Sequence, residues 1–95
     1  MEDLILSKHA LRRMKQRGIK PIVIDLLLRF GSITFDHLGA EIYCFDKKSR
    51  ERIKKHLCSA ELARLPSSAM NIYVVVRDML IVTVAYRSKR FRYFQ

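Results

Sequence analysis

The residues with most chemical potential crowd near the start of the chain, where residues 7–19 read Ser-Lys-His-Ala-Leu-Arg-Arg-Met-Lys-Gln-Arg-Gly-Ile. In a helix each residue turns by about 100°, so His9, Arg13 and Arg17 form a stripe that drifts by about 40° per step. Arg12 and Gln16 lie beside that stripe, and Ala10, Leu11 and Met14 make the apolar face. The stripe therefore sits at the border of core and solvent, where a side chain is held by packing yet can reach a ligand. Arginine presents a planar fork that matches phosphate oxygens and keeps its charge at every ordinary pH. Histidine gives or takes a proton near neutrality. Together they suit phosphodiester cleavage: the imidazole takes a 2′-hydroxyl proton while guanidiniums stabilise charge building on the phosphate. A merely solvated helix face, with His9 bonded to a backbone carbonyl, accounts for the same residue types.

Bulk composition narrows the partners. The 95 residues carry 19 Lys and Arg against 9 Asp and Glu, a net charge of +10. Such a surface attracts polyanions: nucleic acid, an acidic protein or an anionic membrane. With 49% hydrophobic residues the chain has material for a core, which separates it from disordered basic tails. Its length suits one domain, taken as residues 1–95. The apolar runs are too short to span a bilayer. The start, Met1-Glu2-Asp3, lacks the basic opening of a signal peptide. A cytoplasmic protein without a membrane role is therefore expected. Cys44 and Cys58 lack metal spacing and read as reduced, partly buried thiols. His37 and His56 have no partner at ligand spacing, and no Ser-His-Asp order, Gly-rich phosphate loop or carboxylate pair stands out. Neither a metal nor a cofactor is expected.

The elements that must hold these residues follow from punctuation and periodicity. Ser7 is placed to cap a first helix that ends at Gly18, and Pro21 opens a second with a broad apolar face, stopped by Gly31. Residues 32–37 and 41–45 read as strands joined through Leu38-Gly39-Ala40. Residues 49–65 are helical but untidy, with a break or new cap near Ser59. The β-branched runs 71–76 and 80–86 predict a second hairpin about Arg77-Asp78-Met79. Unbroken alternation on its last strand puts Leu80, Val82, Val84 and Tyr86 on one face, with Ile81, Thr83, Ala85 and Arg87 on the other. The expected fold is α+β: two N-terminal helices packed on a four-stranded antiparallel sheet, with one inserted helix.

The segment 7–19 closely resembles a signature, Ser-x-His-Ala-x-x-Arg-Met-x-x-Arg-Gly-Ile, of short bacterial and plasmid-borne proteins. Ile81-Val82-Thr83-Val84-Ala85-Tyr86 is similar to the Val-Thr-Val strand near the end of that group. The group resembles a distant branch of the RelE-like toxin superfamily, which includes the BrnT toxins. The resemblance implies a RelE-like domain, a metal-independent endoribonuclease activity on messenger RNA, including messenger on the ribosome, and an acidic antitoxin-like partner. Matched by position, it implies a catalytic set of His9, Arg13, Arg17 and Thr83, with Thr83 orienting one of the others. The basic stretch 46–70 is longer than that pattern and reads as a phosphate-tracking arm or a solvated helix.

The end of the chain adds candidate phosphate contacts. Lys89, Arg90 and Arg92 alternate with Phe91, Tyr93 and Phe94, a pattern that can grip phosphates and stack on unpaired bases. The same alternation also describes a strand that buries its aromatics. Arg12, Arg87, Lys89, Arg90 and Arg92 complete the nucleic-acid contacts, with Arg87 or Arg90 on the leaving side. A non-catalytic nucleic-acid binder, or a basic protein that docks an acidic partner, are the rival readings.

Overall fold

The computed structural model describes residues 4–87. Its elements are β1 (Ile5–Leu6), α1 (Lys8–Arg17), α2 (Pro21–Phe30), β2 (Ser32–Phe35), β3 (Glu41–Cys44), α3 (Lys47–His56), α4 (Ser59–Ala63), a 3-10 turn (Ser67–Asn71), β4 (Ile72–Arg77) and β5 (Leu80–Tyr86). The α+β class holds, but the sheet has five strands rather than four and is mixed. Its order is β1-β5-β4-β3-β2. β1 pairs parallel to β5, Ile5 with Leu80 and Leu6 with Ile81, whereas the other pairings are antiparallel. Two residues are too few to show alternation, so Leu4-Ile5-Leu6 gives no strand signal in the sequence.

Local chemistry explains where the helices begin and end. The Ser7 hydroxyl accepts from the Ala10 N–H at 3.0 Å and donates to the Val82 carbonyl at 3.2 Å. One side chain thus caps α1 and pins its start to β5. Gly18 takes φ 66°, the left-handed conformation that lets the chain leave the helix, and its N–H returns to the Met14 carbonyl. Gly31 works differently from the stop expected of it. Its φ is −65°, which any residue adopts. A Cβ there would meet the Leu27 carbonyl and lie 2.8 Å from Leu27 Cδ1 and 3.2 Å from the Cys44 carbonyl. Close approach of the last turn of α2, the Leu27 carbonyl and side chain, with the Cys44 carbonyl of β3 behind it, and not backbone freedom, is what requires glycine.

The segment after β3 holds two helices rather than one. Asp46 caps α3 by accepting the Ser49 N–H at 2.9 Å, while the Ser49 hydroxyl oxygen accepts the Asp46 N–H at 2.7 Å. Leu57 is extended, with φ −97° and ψ 144°, and breaks the helix. The Glu61 carboxylate then accepts the Cys58 N–H at 3.0 Å and starts α4. The new cap falls where the sequence suggests one, beside Ser59.

Both N-terminal helices cover one face of the sheet. Ala10 and Met14 of α1, and Val23, Ile24, Leu26 and Leu27 of α2, form a core with Phe45, Ile53, Ile72, Val74, Val76, Ile81 and Val84. Full burial of such aliphatic side chains contributes about 1.5–3 kcal/mol each before entropy is charged. Alternation on β5 is interrupted by a bulge. Val75 pairs with Thr83, but Val76 pairs with Ile81, which leaves Val82 as the extra residue. Ile81 and Val84 are therefore both buried in the helix-covered core although three apart. The β4–β5 hairpin closes through Asp78 and Met79 with φ 52° and 65°, the paired left-handed residues of a type I′ turn.

Candidate nucleic-acid interface

The predicted stripe on α1 exists and is open. His9, Arg12 and Arg17 are exposed and Arg13 is half-buried, while Ala10 and Met14 face the core. Leu11, 43% exposed, lies outside the core despite its predicted place on the apolar face. α1 contains no acidic residue. Among the described residues the ion pair within 4.0 Å is Asp25 with Arg29, on α2 at 3.6 Å, so no carboxylate neutralises the guanidiniums of α1. The Arg13 Nε is buried and has no hydrogen-bond partner among the described residues. A partly desolvated guanidinium without an acid is costly to hold, and an anion that reaches it recovers that cost. The far end of the stripe is fixed by the Tyr86 hydroxyl, which donates to the Arg17 carbonyl at 3.4 Å.

Thr83 does not belong to this group. Its pairing with Val75 places it on the face with Ile42, Cys44, Tyr73 and Ala85, whereas α1 packs on the face of Ile81 and Val84. The sheet separates the threonine from the helix-covered side, and the bulge at Val82 sets which residues of β5 turn toward α1. The expected convergence of the α1 stripe with Thr83 is thereby corrected. Arg87 is also less free than expected. Its N–H donates to the Asn71 carbonyl at 2.7 Å and its guanidinium to the Phe45 carbonyl at 3.2 Å. These bonds tie the end of β5 to the end of the 3-10 turn and to the residue between β3 and the cap of α3. Lys89, Arg90 and Arg92 lie outside the described residues.

A second cationic surface comes from α3. Lys47, Lys48, Arg50, Arg52, Lys54 and Lys55 are exposed, with Glu51 the acid on that helix. Composition signals the charge, but only the caps at Asp46 and Leu57 show that it rides on a short rigid helix. The Arg52 guanidinium donates to the Phe30 carbonyl at 2.8 Å, docking α3 on the end of α2. The His56 ring sits 4.9 Å from that of Phe30.

The remaining polar groups have structural explanations. Asp36 Oδ1 accepts the N–H groups of Leu38 and Ala40 at 2.8 and 2.9 Å and organises the β2–β3 loop. Those bonds, that of Ala40 foremost, hold its carboxyl below the usual range. Burial, helped by the charge of Glu41, pushes the Tyr43 hydroxyl up. Cys44 is buried, which raises its thiol, while Cys58 is exposed; the expectation of two partly buried thiols is corrected at both positions. Among the described residues no three His, Cys, Asp or Glu side chains are grouped as a metal site requires, and no helix is long and apolar enough to cross a membrane.

Fold and surface together define a small α+β protein that presents a cationic helix edge beside the end strand of its sheet. Comparison with protein-family models, with curated proteins and with solved structures finds no match to this chain.

Proposed function

We propose that this protein binds RNA along the exposed edge of α1 and cleaves it as a metal-independent, RelE-like endoribonuclease. The observation that carries the reading is the grouping of His9 with Arg12, Arg13 and Arg17 on a helix without a single acid. The guanidiniums seat the phosphate, that of Arg13 with a buried Nε in need of an acceptor. His9 takes the 2′-hydroxyl proton as the 2′-oxygen bonds to phosphorus. The bond to the 5′-oxygen breaks, water supplies that oxygen with a proton, and a cyclic phosphate end remains. Thr83 has no part in this set, and Arg87 serves the fold. An acidic antitoxin-like protein that covers the same cations belongs to this reading, as does messenger RNA on the ribosome as substrate.

A second reading, RNA binding without chemistry, draws on the separation of Thr83 from α1. That placement leaves His9 without the strand partner that the motif resemblance implies. Induction of the chain alone in bacteria distinguishes the two. A cleaving protein halts growth and His9→Ala restores it. Growth arrest unchanged by His9→Ala rules out the catalytic role.

A further inference from the structure

The opposite border of the molecule, at β2, carries a surface of another kind. Among the described residues β2 is an edge strand, paired only with β3. The Asp36 N–H donates to the Ala40 carbonyl at 3.1 Å. With Thr34 opposite Ile42 and Ser32 opposite Cys44, that bond fixes the alternation of the antiparallel ladder. The N–H and C=O groups of Ile33 and Phe35 consequently point away from β3, to the free edge.

The strand lacks two of the devices that normally blunt an edge. Its four residues, Ser32, Ile33, Thr34 and Phe35, include no charge and no proline. Phe35 is 69% exposed, Ile33 46%, and Leu38 in the following loop 77%. Ile33 and Phe35 stand directly opposite Tyr43 and Glu41. Those two residues line a groove of about 670 Å³ together with Leu4, Phe30, Val76 and Met79. Met79 is held there at φ 65°, a conformation that a side chain adopts at a cost.

Charge decides what fits. A second copy would bring two chains of +10 together along an edge of four residues, and repulsion opposes that pairing. Arg29 and His56 line the groove, and Arg52 sits on the Phe30 carbonyl just before β2 begins. Four acids face these groups: Asp25 pairs with Arg29, Asp46 faces Arg52, Glu61 faces His56, and Glu41 lines the groove. RNA would gain little from an uncharged, apolar strand. From the open edge, the apolar groove, the net charge of +10 and the exposed lysines of α3, the helix that Arg52 docks just before β2, we infer that β2 receives an added strand from an acidic polypeptide whose alternate residues are apolar. The peptide backbone pairs with Ile33 and Phe35, its apolar residues cover their side chains and the groove, and its carboxylates meet the exposed lysines of α3. This surface is distinct from α1 and does not depend on RNA cleavage.

The probe is a short synthetic peptide alternating Glu with Val, titrated into the full chain by fluorescence anisotropy. Its control is the same peptide N-methylated at alternate amides along one edge, which removes pairing but not charge. The unmodified peptide binds at least about tenfold tighter than the control, the equivalent of one or two net hydrogen bonds. Amide exchange at Ile33 and Phe35 slows on binding. Phe35→Ser, which removes the exposed ring without adding charge, weakens the peptide by a similar factor and leaves RNA binding unchanged. Equal binding of the two peptides, no binding of either, or loss on Arg13→Glu but not on Phe35→Ser overturns the inference, because each leaves charge attraction alone or nothing.

Discussion

Replacing Arg13 by alanine should flatten the salt dependence of RNA binding by a fixed decrement. Each phosphate contact on single-stranded RNA contributes about −0.7 to the slope of log affinity against log salt. If Arg12, Arg13 and Arg17 each hold a phosphate, the α1 edge contributes about −2.1, and a fourfold rise in salt lowers affinity about 18-fold through that edge. Arg13→Ala leaves about −1.4, or about 7-fold for the same rise. Contacts from α3 add to the total slope of both proteins, so the difference of about 0.7 is the diagnostic quantity. The assay is anisotropy of a labelled oligoribonucleotide, titrated at several salt concentrations. Arg13 is half-buried and its stem packs, so Arg13→Gln serves as the volume-preserving companion, with thermal melting to check that both variants fold. Arg29→Ala is the control, since Arg29 already pairs with Asp25. An unchanged slope in Arg13→Ala, or an equal fall in Arg29→Ala, would refute α1 as the phosphate-binding edge.

Further outcomes follow from the fold. Asp46→Ala should lose about 1 kcal/mol of cap stability, a fall in Tm of about 4–8 °C for a domain this small. The Ser32 hydroxyl and then the Ser49 N–H hold the Asp46 carboxyl below its ordinary value, so its contribution is present above about pH 4 and lost as pH falls through the lowered folded value. Asp46→Asn should therefore show a flatter dependence of Tm on pH below 5 than the native chain, and parallel curves would discount the linkage. Gly31→Ala forces a methyl onto the Leu27 carbonyl and should destabilise by about 1–3 kcal/mol in urea titration, whereas a neutral effect would contradict the tight turn at the end of α2. A thiol reagent such as DTNB should modify exposed Cys58 quickly and buried Cys44 only on unfolding; two equal rates would contradict the burial of Cys44.

Much of the scaffold is written in short-range chemistry. Ser7, Gly18 and Pro21 announce the boundaries of α1 and α2, and the β-branched runs of β4 and β5 announce their hairpin, because caps and turns act over three or four residues. Features set by distant contacts are illegible. β1 gains its hydrogen bonds from Met79 and Ile81, some seventy residues away, and nothing in Ile5-Leu6 encodes that pairing. The bulge at Val82 depends on how β5 meets β4, so strict alternation misplaces Thr83 relative to α1. Gly31 looks like a second helix stop, and only the approach of Leu27 and Cys44 reveals its steric role. The cationic stripe itself is readable from helical spacing, because His9, Arg13 and Arg17 lie on one element. What spacing cannot give is that Arg13 pairs with no acid among the described residues, or that Arg87 is committed to the Phe45 carbonyl.

The central claim is that His9, set among the guanidiniums of α1, removes the 2′-hydroxyl proton in RNA cleavage. Its most direct test is a single-turnover reaction of the purified chain with a defined oligoribonucleotide in EDTA, beside His9→Ala and a substrate carrying 2′-deoxyribose at the cleaved position. Cleavage to a 2′,3′-cyclic phosphate end is predicted for the native chain. Loss of about a hundredfold or more in rate is predicted for His9→Ala with RNA affinity retained, together with no cleavage of the deoxy substrate. Intact RNA with the native chain, or equal rates with and without the imidazole, would contradict it.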